Sequence, residues 1–451
     1  MPTPGGVLSA APPREAPPVT TTPGRARSPW HWVPSAYLAE GIPFAMVIWV
    51  AGTMFKNLGH SDSQITLATA SIGIAWSLKP LWAAFLDMYR TKRFIVLCME
   101  VLMAVLLATV ALCLPLPNYF QLTIALLWVL AFASATQDIC VDGIYITTLG
   151  KRQQAAFIGV QGVFWNMGRL FGTALIVWTA GTLQQDHQLS ATTAWAWAIG
   201  VSAAAMAALA LVHGAVLPAG ALTRRPQGVA EVGRTFVDAV VDFFRKPQIW
   251  GMLLFVFFYR SSEGLLLIEG PLFMQAAPDA GGLGLTLKEK GLIDGTVSTV
   301  VSLAGGLLGG AFLARYGLNR RTLVFMALCL NLPHITYVVL SQLAGPGQAL
   351  SLWTVAALVT AEKFGYSFGF VANMLYMMQQ VSPGRYHMTH YAFCTALMNL
   401  MLVPTQALSG PLADHLGYRA YFILVMFAAI PSVLAAAFAP FTHPPADDRQ
   451  D

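Results

Sequence analysis

Apolar runs of about 20 residues recur along nearly the whole chain, separated by short polar stretches. Each run is long enough to cross a hydrocarbon layer of about 30 Å as a helix. The pattern predicts twelve membrane helices, at 32–55, 63–86, 93–114, 119–147, 155–181, 194–216, 249–273, 290–313, 322–342, 349–380, 388–412 and 419–440. The longest connection, 217–248, separates an N-terminal half at 32–216 from a C-terminal half at 249–440, six helices each. Within it Val232, Phe236, Val240 and Phe244 recur at helical spacing opposite Glu231, Arg234, Asp238 and Asp242. Such a helix either lies on the membrane surface or packs as a plain linker beneath the bundle. Residues 1–31 are proline-rich and lack an apolar core segment, so they read as a disordered cytosolic tail and not a secretory signal; 441–451 reads as a second tail.

Composition agrees with this pattern. Hydrophobic residues make up 56% of the 451 and charged ones 10%, against about 25% charged in soluble domains. The fold class expected is an all-α membrane protein. The net charge of +5 comes from bases dispersed over short loops, without the stripe of a nucleic-acid binder. The five cysteines lie in apolar runs without CxxC spacing, so neither a disulfide framework nor a zinc site is indicated, and no metal or cofactor is expected. Of the 26 lysines and arginines, 18 fall on the side shared by the two termini and 4 on the other. That bias puts both termini in the cytosol. The remaining bases, Lys79, Arg169, Arg260 and Lys363, lie within helices.

An ionisable group at the centre of a membrane helix costs about 2.5–3.5 kcal/mol on insertion scales, so such groups face the bundle interior and find partners. Asp138 and Asp142 are spaced i, i+4 on one face of the fourth helix, with Gln137 beside them. Two carboxylates that close compete for protons, as proton coupling requires; fixed hydrogen bonds to a neighbouring helix are the structural alternative. Glu40 precedes Gly41 and Pro43, and the proline predicts a bend beside the carboxyl group. Arg169 is expected to pair with Asp138, Asp142 or Glu40, or else to contact solute. In the second half Arg260 and Glu263 are i, i+3 and either face the solute or neutralise each other, while the adjacent Glu362 and Lys363 point apart and need separate partners. Glu269 lies further outward on the same helix as Glu263. His334 and His390 read as hydrogen-bonded core histidines. Trp49, Trp76, Trp165 and Tyr376 are candidates to stack on a sugar ring, or are core and interfacial anchors. Gly168, Gly172, Gly305, Gly306, Gly309 and Gly310 read as close-packing positions.

Gly365-Tyr366-Ser367-Phe368-Gly369 fits the G-x-S-x-G pattern of a hydrolase elbow. That elbow needs a strand turning into a helix, whereas this stretch lies inside a long apolar helix, so an enzyme is not expected.

Ala84-Phe85-Leu86-Asp87-Met88-Tyr89 before Lys92-Arg93 resembles Ala311-Phe312-Leu313-Ala314-Arg315-Tyr316 before Arg320-Arg321, as parallel six-helix repeats would. The loop carrying Asp87, Arg90, Lys92 and Arg93 resembles the signature loop of major facilitator transporters. Glu40-Gly41-Ile42-Pro43, the stretch 135–143 from Ala135 to Gly143, Tyr259 to Gly264 and Gly410 to Asp414 resemble the AmpG-type muropeptide permeases, although Glu40 and the residues after Asp142 depart from that pattern. The resemblance implies a major facilitator fold of twelve helices in two halves, with the Asp87 loop as a gating loop. It implies proton-driven import of cell-wall muropeptides or related amino-sugar compounds across the inner membrane of a Gram-negative bacterium. A siderophore or other organic-anion permease, and a membrane sensor that binds without transport, are the alternatives. The proline-containing glycine motif of drug antiporters is missing from the fifth helix. The expected partners are a small solute, protons and lipid, and a monomer suffices because one chain carries both halves.

Overall fold

The computed structural model describes residues 28–79, 81–82, 86, 91–220, 229–345 and 350–443. The proline-rich stretch 1–27, Asp87 and Arg90 of the expected gating loop, and 444–451 lie outside the described residues. Strand-free helix runs the length of what is described. In chain order the elements are α1 (Pro29–Asn57), α2 (62–77, broken between Asp62–Thr69 and Ile74–Ser77), α3 (Lys92–Cys113), α4 (Tyr119–Thr148), α5 (151–185), α6 (Ala191–Val216), the linker helix α7 (Val229–Phe244), α8 (Ile249–Gln275), α9 (Leu287–Tyr316), α10 (Arg320–Leu343), α11 (352–381), and α12 (387–416) and α13 (418–438), which meet at Gly417. Eight stretches among the described residues are long and apolar enough to span a membrane, one of them being α12 and α13 together. The more polar or broken α2, α5 and α11 complete the expected twelve.

Several membrane helices lose regular geometry next to a charged or histidine side chain. α1 contains Pro43 and passes through a wide turn at Met46–Val50. α5 does the same at Phe171–Ile176, just after Arg169, and α9 at Gly291–Val297, around Asp294. α8 is interrupted between Phe258 and Glu263, and Arg260 sits in the gap. α10 tightens at Leu332–His334, where Pro333 removes a backbone donor. Wide turns and proline breaks inside helices mark functional positions often enough that this coincidence directs attention to these groups.

Gly417 joins α12 to α13 with φ of 72°, a left-handed value glycine adopts freely. Four of the glycines expected to pack do so. A Cβ on Gly168 would lie 2.5 Å from the Leu38 carbonyl, and one on Gly172 2.7 Å from Ala45; Gly305 and Gly309 press equally on α11. Gly306 and Gly310 face open space instead, because each lies about 100° further round α9. Gly365 and Gly369, the glycines of the hydrolase-like pattern, pack against Pro333 and Met326 of α10, which accounts for that pattern as helix contact.

The linker helix α7 lies against α12. Ala239 and Phe243 are buried, Phe236 and Phe243 meet Phe393 edge-on at 5.7 and 5.5 Å, and His390 Nε2 donates to the Ala239 carbonyl at 3.0 Å. The buried stripe is therefore turned from the one expected: Phe244 is exposed and Phe243 takes its place, since the helix packs on the bundle.

The two halves are joined by hydrogen bonds on the face away from α7, called here the far face. Ser63 Oγ donates to Asp414 Oδ2 at 2.5 Å and the Tyr418 hydroxyl to Asp62 Oδ2 at 2.5 Å. Lys288 Nζ reaches both oxygens of Asp186 at 2.7 Å, and Lys290 Nζ reaches Thr53 Oγ1 at 3.0 Å. A Cβ on Gly295 would meet the Thr173 carbonyl at 2.6 Å, so α5 and α9 touch backbone to backbone there.

Gly41→Leu or Gly168→Leu is expected to force α1 from α5 and to destabilise the purified protein by about 1–3 kcal/mol, the usual cost of overpacking. Gly306→Ala and Gly310→Ala should leave the thermal unfolding midpoint in detergent unchanged.

Candidate functional site

Between the halves lies a chamber of about 270 Å³. Phe44 of α1, Trp76, Ser77 and Lys79 of the α2 region, Asp138 of α4 and Trp165 of α5 form one side; Ala392, Thr395, Ala396 and Asn399 of α12 form the other. The aromatic side is a cluster: Phe44 meets Trp76, Trp165 and Trp49 at 4.8, 5.3 and 5.4 Å between ring centroids. A mostly apolar wall with a few convergent polar groups is how solute pockets are built.

The charged floor is Lys79 of the α2 region with Asp138 of α4, and Glu40 of α1 lies buried behind it. Lys79 Nζ donates to Asp138 Oδ2, and both remain about one-fifth exposed to the chamber. Asp142, one turn along, accepts a hydrogen bond from the Tyr37 hydroxyl at 2.7 Å, and Gln161 Nε2 of α5 donates to that same hydroxyl. Glu40, one turn from Tyr37 on α1, is buried facing Asp138, Asp142 and Lys79, and its Oε1 has no hydrogen-bond partner among the described residues. Asp138, Asp142 and Glu40 thus do come together, with one lysine among three carboxyl groups.

Two neighbours of this cluster point elsewhere than expected. Gln137 is buried and donates through Nε2 to Glu100 Oε1 of α3 at 2.9 Å, because successive residues are about 100° apart around a helix. Arg169 does not pair with Asp138, Asp142 or Glu40. Gly168 is pressed on α1 at Gly41, which turns the next side chain toward the second half; its guanidinium lies 5.5 Å from the Trp49 ring centre and faces Asp294 of α9.

In the second half Arg260 and Glu263 neutralise each other. Arg260 Nε donates to Glu263 Oε2 at 2.5 Å and Nη2 to Oε1, a two-pronged pair, while Nη1 reaches Asn399 Oδ1 at 3.3 Å. The guanidinium also covers the Phe370 ring at 4.9 Å. Glu362 and Lys363 were expected to need separate partners, yet Lys363 Nζ stands 3.1 Å from Glu362 Oε2. The lysine stem is long enough to fold back along the helix surface. His334 Nδ1 stands 3.5 Å from Glu362 Oε1.

Of the expected gating loop, Lys92 and Arg93 are described. The Lys92 stem is buried against Gly143 of α4, and Arg93 Nη2 donates to the Gly214 carbonyl of α6. Both fasten the start of α3 to its own half.

Sequence reasoning gave no role to three groups that the structure makes central. Lys79 carried the same signal as Arg169, a base in an apolar run. Glu100 and His213 are fully buried with His213 Nδ1 2.6 Å from Glu100 Oε1, and His213 Nε2 is 3.0 Å from Ser35 Oγ. Their separation in the chain leaves no local spacing to read.

Two helical halves around a chamber with charges on its wall are the architecture of a solute transporter of the membrane. The family model of the Major Facilitator Superfamily matches residues 35–390, and the chain belongs to that superfamily. The anhydromuropeptide permease of Escherichia coli (strain K12) is 23% identical over 407 residues, covering 88% of this chain and 76% of that protein. The solved structure of the nucleoside transporter NupG matches with a TM-score of 0.68 at 13% identity, over 92% of this chain and 99% of that one. A D-xylose-proton symporter matches with a TM-score of 0.64 at 14% identity, over 91% and 96%. These likenesses in structure establish the fold.

Replacing Arg260 with Ala leaves Glu263 buried without its partner, and a loss of about 3–5 kcal/mol is expected. The double variant R260M/E263Q should recover most of the lost thermal stability in detergent.

Proposed function

We propose that this protein imports cell-wall muropeptides or related amino-sugar compounds by proton-coupled alternating access. It works in the bacterial cytoplasmic membrane, with both termini in the cytosol. The observation that carries the reading is the chamber itself, in which an aromatic wall of Phe44, Trp76 and Trp165 stands beside the Lys79–Asp138 pair, with Glu40 buried behind that pair. Aromatic faces suit the apolar faces of sugar rings, and the Lys79 and Asp138 charges suit the carboxylates and amines of a short peptide. The named permease of Escherichia coli supports this choice of solute. The bias of bases to the α7 side puts the far face outward. With the halves joined there, the chamber is closed to the outside.

In this reading Asp138, Asp142 and Glu40 take and release the coupling proton. Protonation of Asp138 frees Lys79, and protonation of Asp142 changes the Tyr37–Gln161 chain that links α4 to α1 and α5. Gln137, Glu362, Lys363 and the Arg260–Glu263 pair are held by internal partners and act as supports, while Arg169 acts at the contact with α9.

The test is uptake into liposomes holding the purified protein, with labelled anhydromuropeptide, a free amino sugar and a ferric siderophore, each with and without an inward proton gradient. Gradient-stimulated uptake of the muropeptide is the expected result; gradient-stimulated uptake of the siderophore alone would reassign the solute, and binding without any flux would make the protein a sensor. Asp138→Asn and Asp142→Asn should each lower gradient-driven uptake at least about tenfold, worth ~1.4 kcal/mol. Full pH-dependent uptake by both folded variants would remove the proton role. Trp165→Ala should raise KM by about 2–10-fold, the range of one aromatic stacking contact, with little change in kcat.

A further inference from the structure

The far face holds a pair of acids that the uptake reading does not use. Glu269 of α8 is fully buried, and neither of its carboxyl oxygens has a hydrogen-bond partner among the described residues. It faces Asp62 of α2 across the boundary between the halves. Asp62 is buried too, and each of its oxygens already accepts one hydrogen bond, Oδ1 from Lys56 Nζ of α1 at 2.5 Å and Oδ2 from the Tyr418 hydroxyl of α13 at 2.5 Å.

Among the described residues, the surrounding groups do not offer Glu269 a counter-charge of its own. Asp414 of α12 accepts from the Ser63 backbone and hydroxyl. The Tyr421 hydroxyl of α13 donates to the Leu265 carbonyl at 2.7 Å. Tyr337 of α10 packs on Gly270. Lys290 of α9 is turned to Thr53 and Asp294, each at 3.0 Å. Among the described residues Lys56, already bonded to Asp62, is the cation that bears on Glu269, against the carboxyl groups of Asp62 and Asp414. Two buried acids that meet this way repel when both are ionised, and a single proton between them converts repulsion into a charge-assisted hydrogen bond.

We propose that Glu269 and Asp62 form a proton-binding site that latches the far face, the shared proton tying α2 to α8 and its loss driving the halves apart there. The site is separate from the Asp138, Asp142 and Glu40 cluster, which lies further toward the α7 side. The sign follows from the charges: acid conditions fill the site and hold the far face closed, and alkaline conditions empty it and favour opening. An outward far face would take this proton from outside, so that the proton closes the entrance behind the solute.

The experiment needs no solute and so stands or falls apart from the muropeptide reading. Nitroxide labels are placed at His187 and Asp279, exposed on opposite halves of the far face, in purified full-length protein whose native cysteines are replaced, and their separation is measured by pulsed electron resonance from pH 5 to 9. The short-distance population should dominate at pH 5 and fall several-fold by pH 9. Glu269→Gln, whose amide donates in place of the proton, should remain short throughout, and Asp62→Asn should also lose the pH response. Asp414→Asn should keep the wild-type titration. A flat wild-type profile overturns the proposal. So does a wild-type-like titration in both Glu269→Gln and Asp62→Asn, or a titration abolished by Asp414→Asn.

Discussion

Burying an ionised group away from water without a partner is expensive, and this molecule is organised around that cost. Five of its intramembrane bases are turned toward an acid, Lys79 to Asp138, Arg260 to Glu263, Lys363 to Glu362, Lys290 to Asp294 and His213 to Glu100, while Glu40 and Glu269 are buried among other acids. The wide turns and breaks of α5, α8 and α9 fall beside Arg169, Arg260 and Asp294, and α1 loses regular geometry after Glu40 and Pro43.

The pairs fall into two kinds. Some lie inside one half and tie its helices into a unit, as the Glu100–His213 contact ties α3 to α6 and Gln137 adds α4. Others cross between halves, as Asp186–Lys288 and Asp62–Tyr418 do. Internal pairs persist in any arrangement of the halves, whereas crossing pairs exist only when the far face is shut. A rocking transporter needs both, stiff halves and a boundary whose bonds can be exchanged.

The sequence made the helices legible because the apolar period and the span length are local signals. Their ends were less so. α5 runs from 151 to 185 where the apolar pattern marks 155 to 181, since Lys151 and Arg152 begin the helix without being apolar. α9 begins at Leu287, fixed by the Thr286 and Glu289 capping pair, which a hydropathy pattern does not register. The same divide governs the site. Asp138 with Asp142 and Arg260 with Glu263 sit one turn apart and could be read from spacing, whereas Lys79 with Asp138, Arg169 with Asp294 and Glu269 with Asp62 depend on which faces of distant helices meet. The rotation of α5 that sends Arg169 toward α9 is set by Gly41 against Gly168, a contact between positions with no side chain to advertise it.

That glycine contact has a mechanical meaning. With backbone resting on backbone, α1 and α5 have no layer of side chains between them to slide or compress, so they behave as one stiff lever. Glu40 and Arg169 both sit next to this contact, Glu40 facing Asp138 and Asp142 and Arg169 facing α9 at the seam. In the proposed cycle a change of charge near Glu40 would reach Arg169 as a displacement of the two helices together.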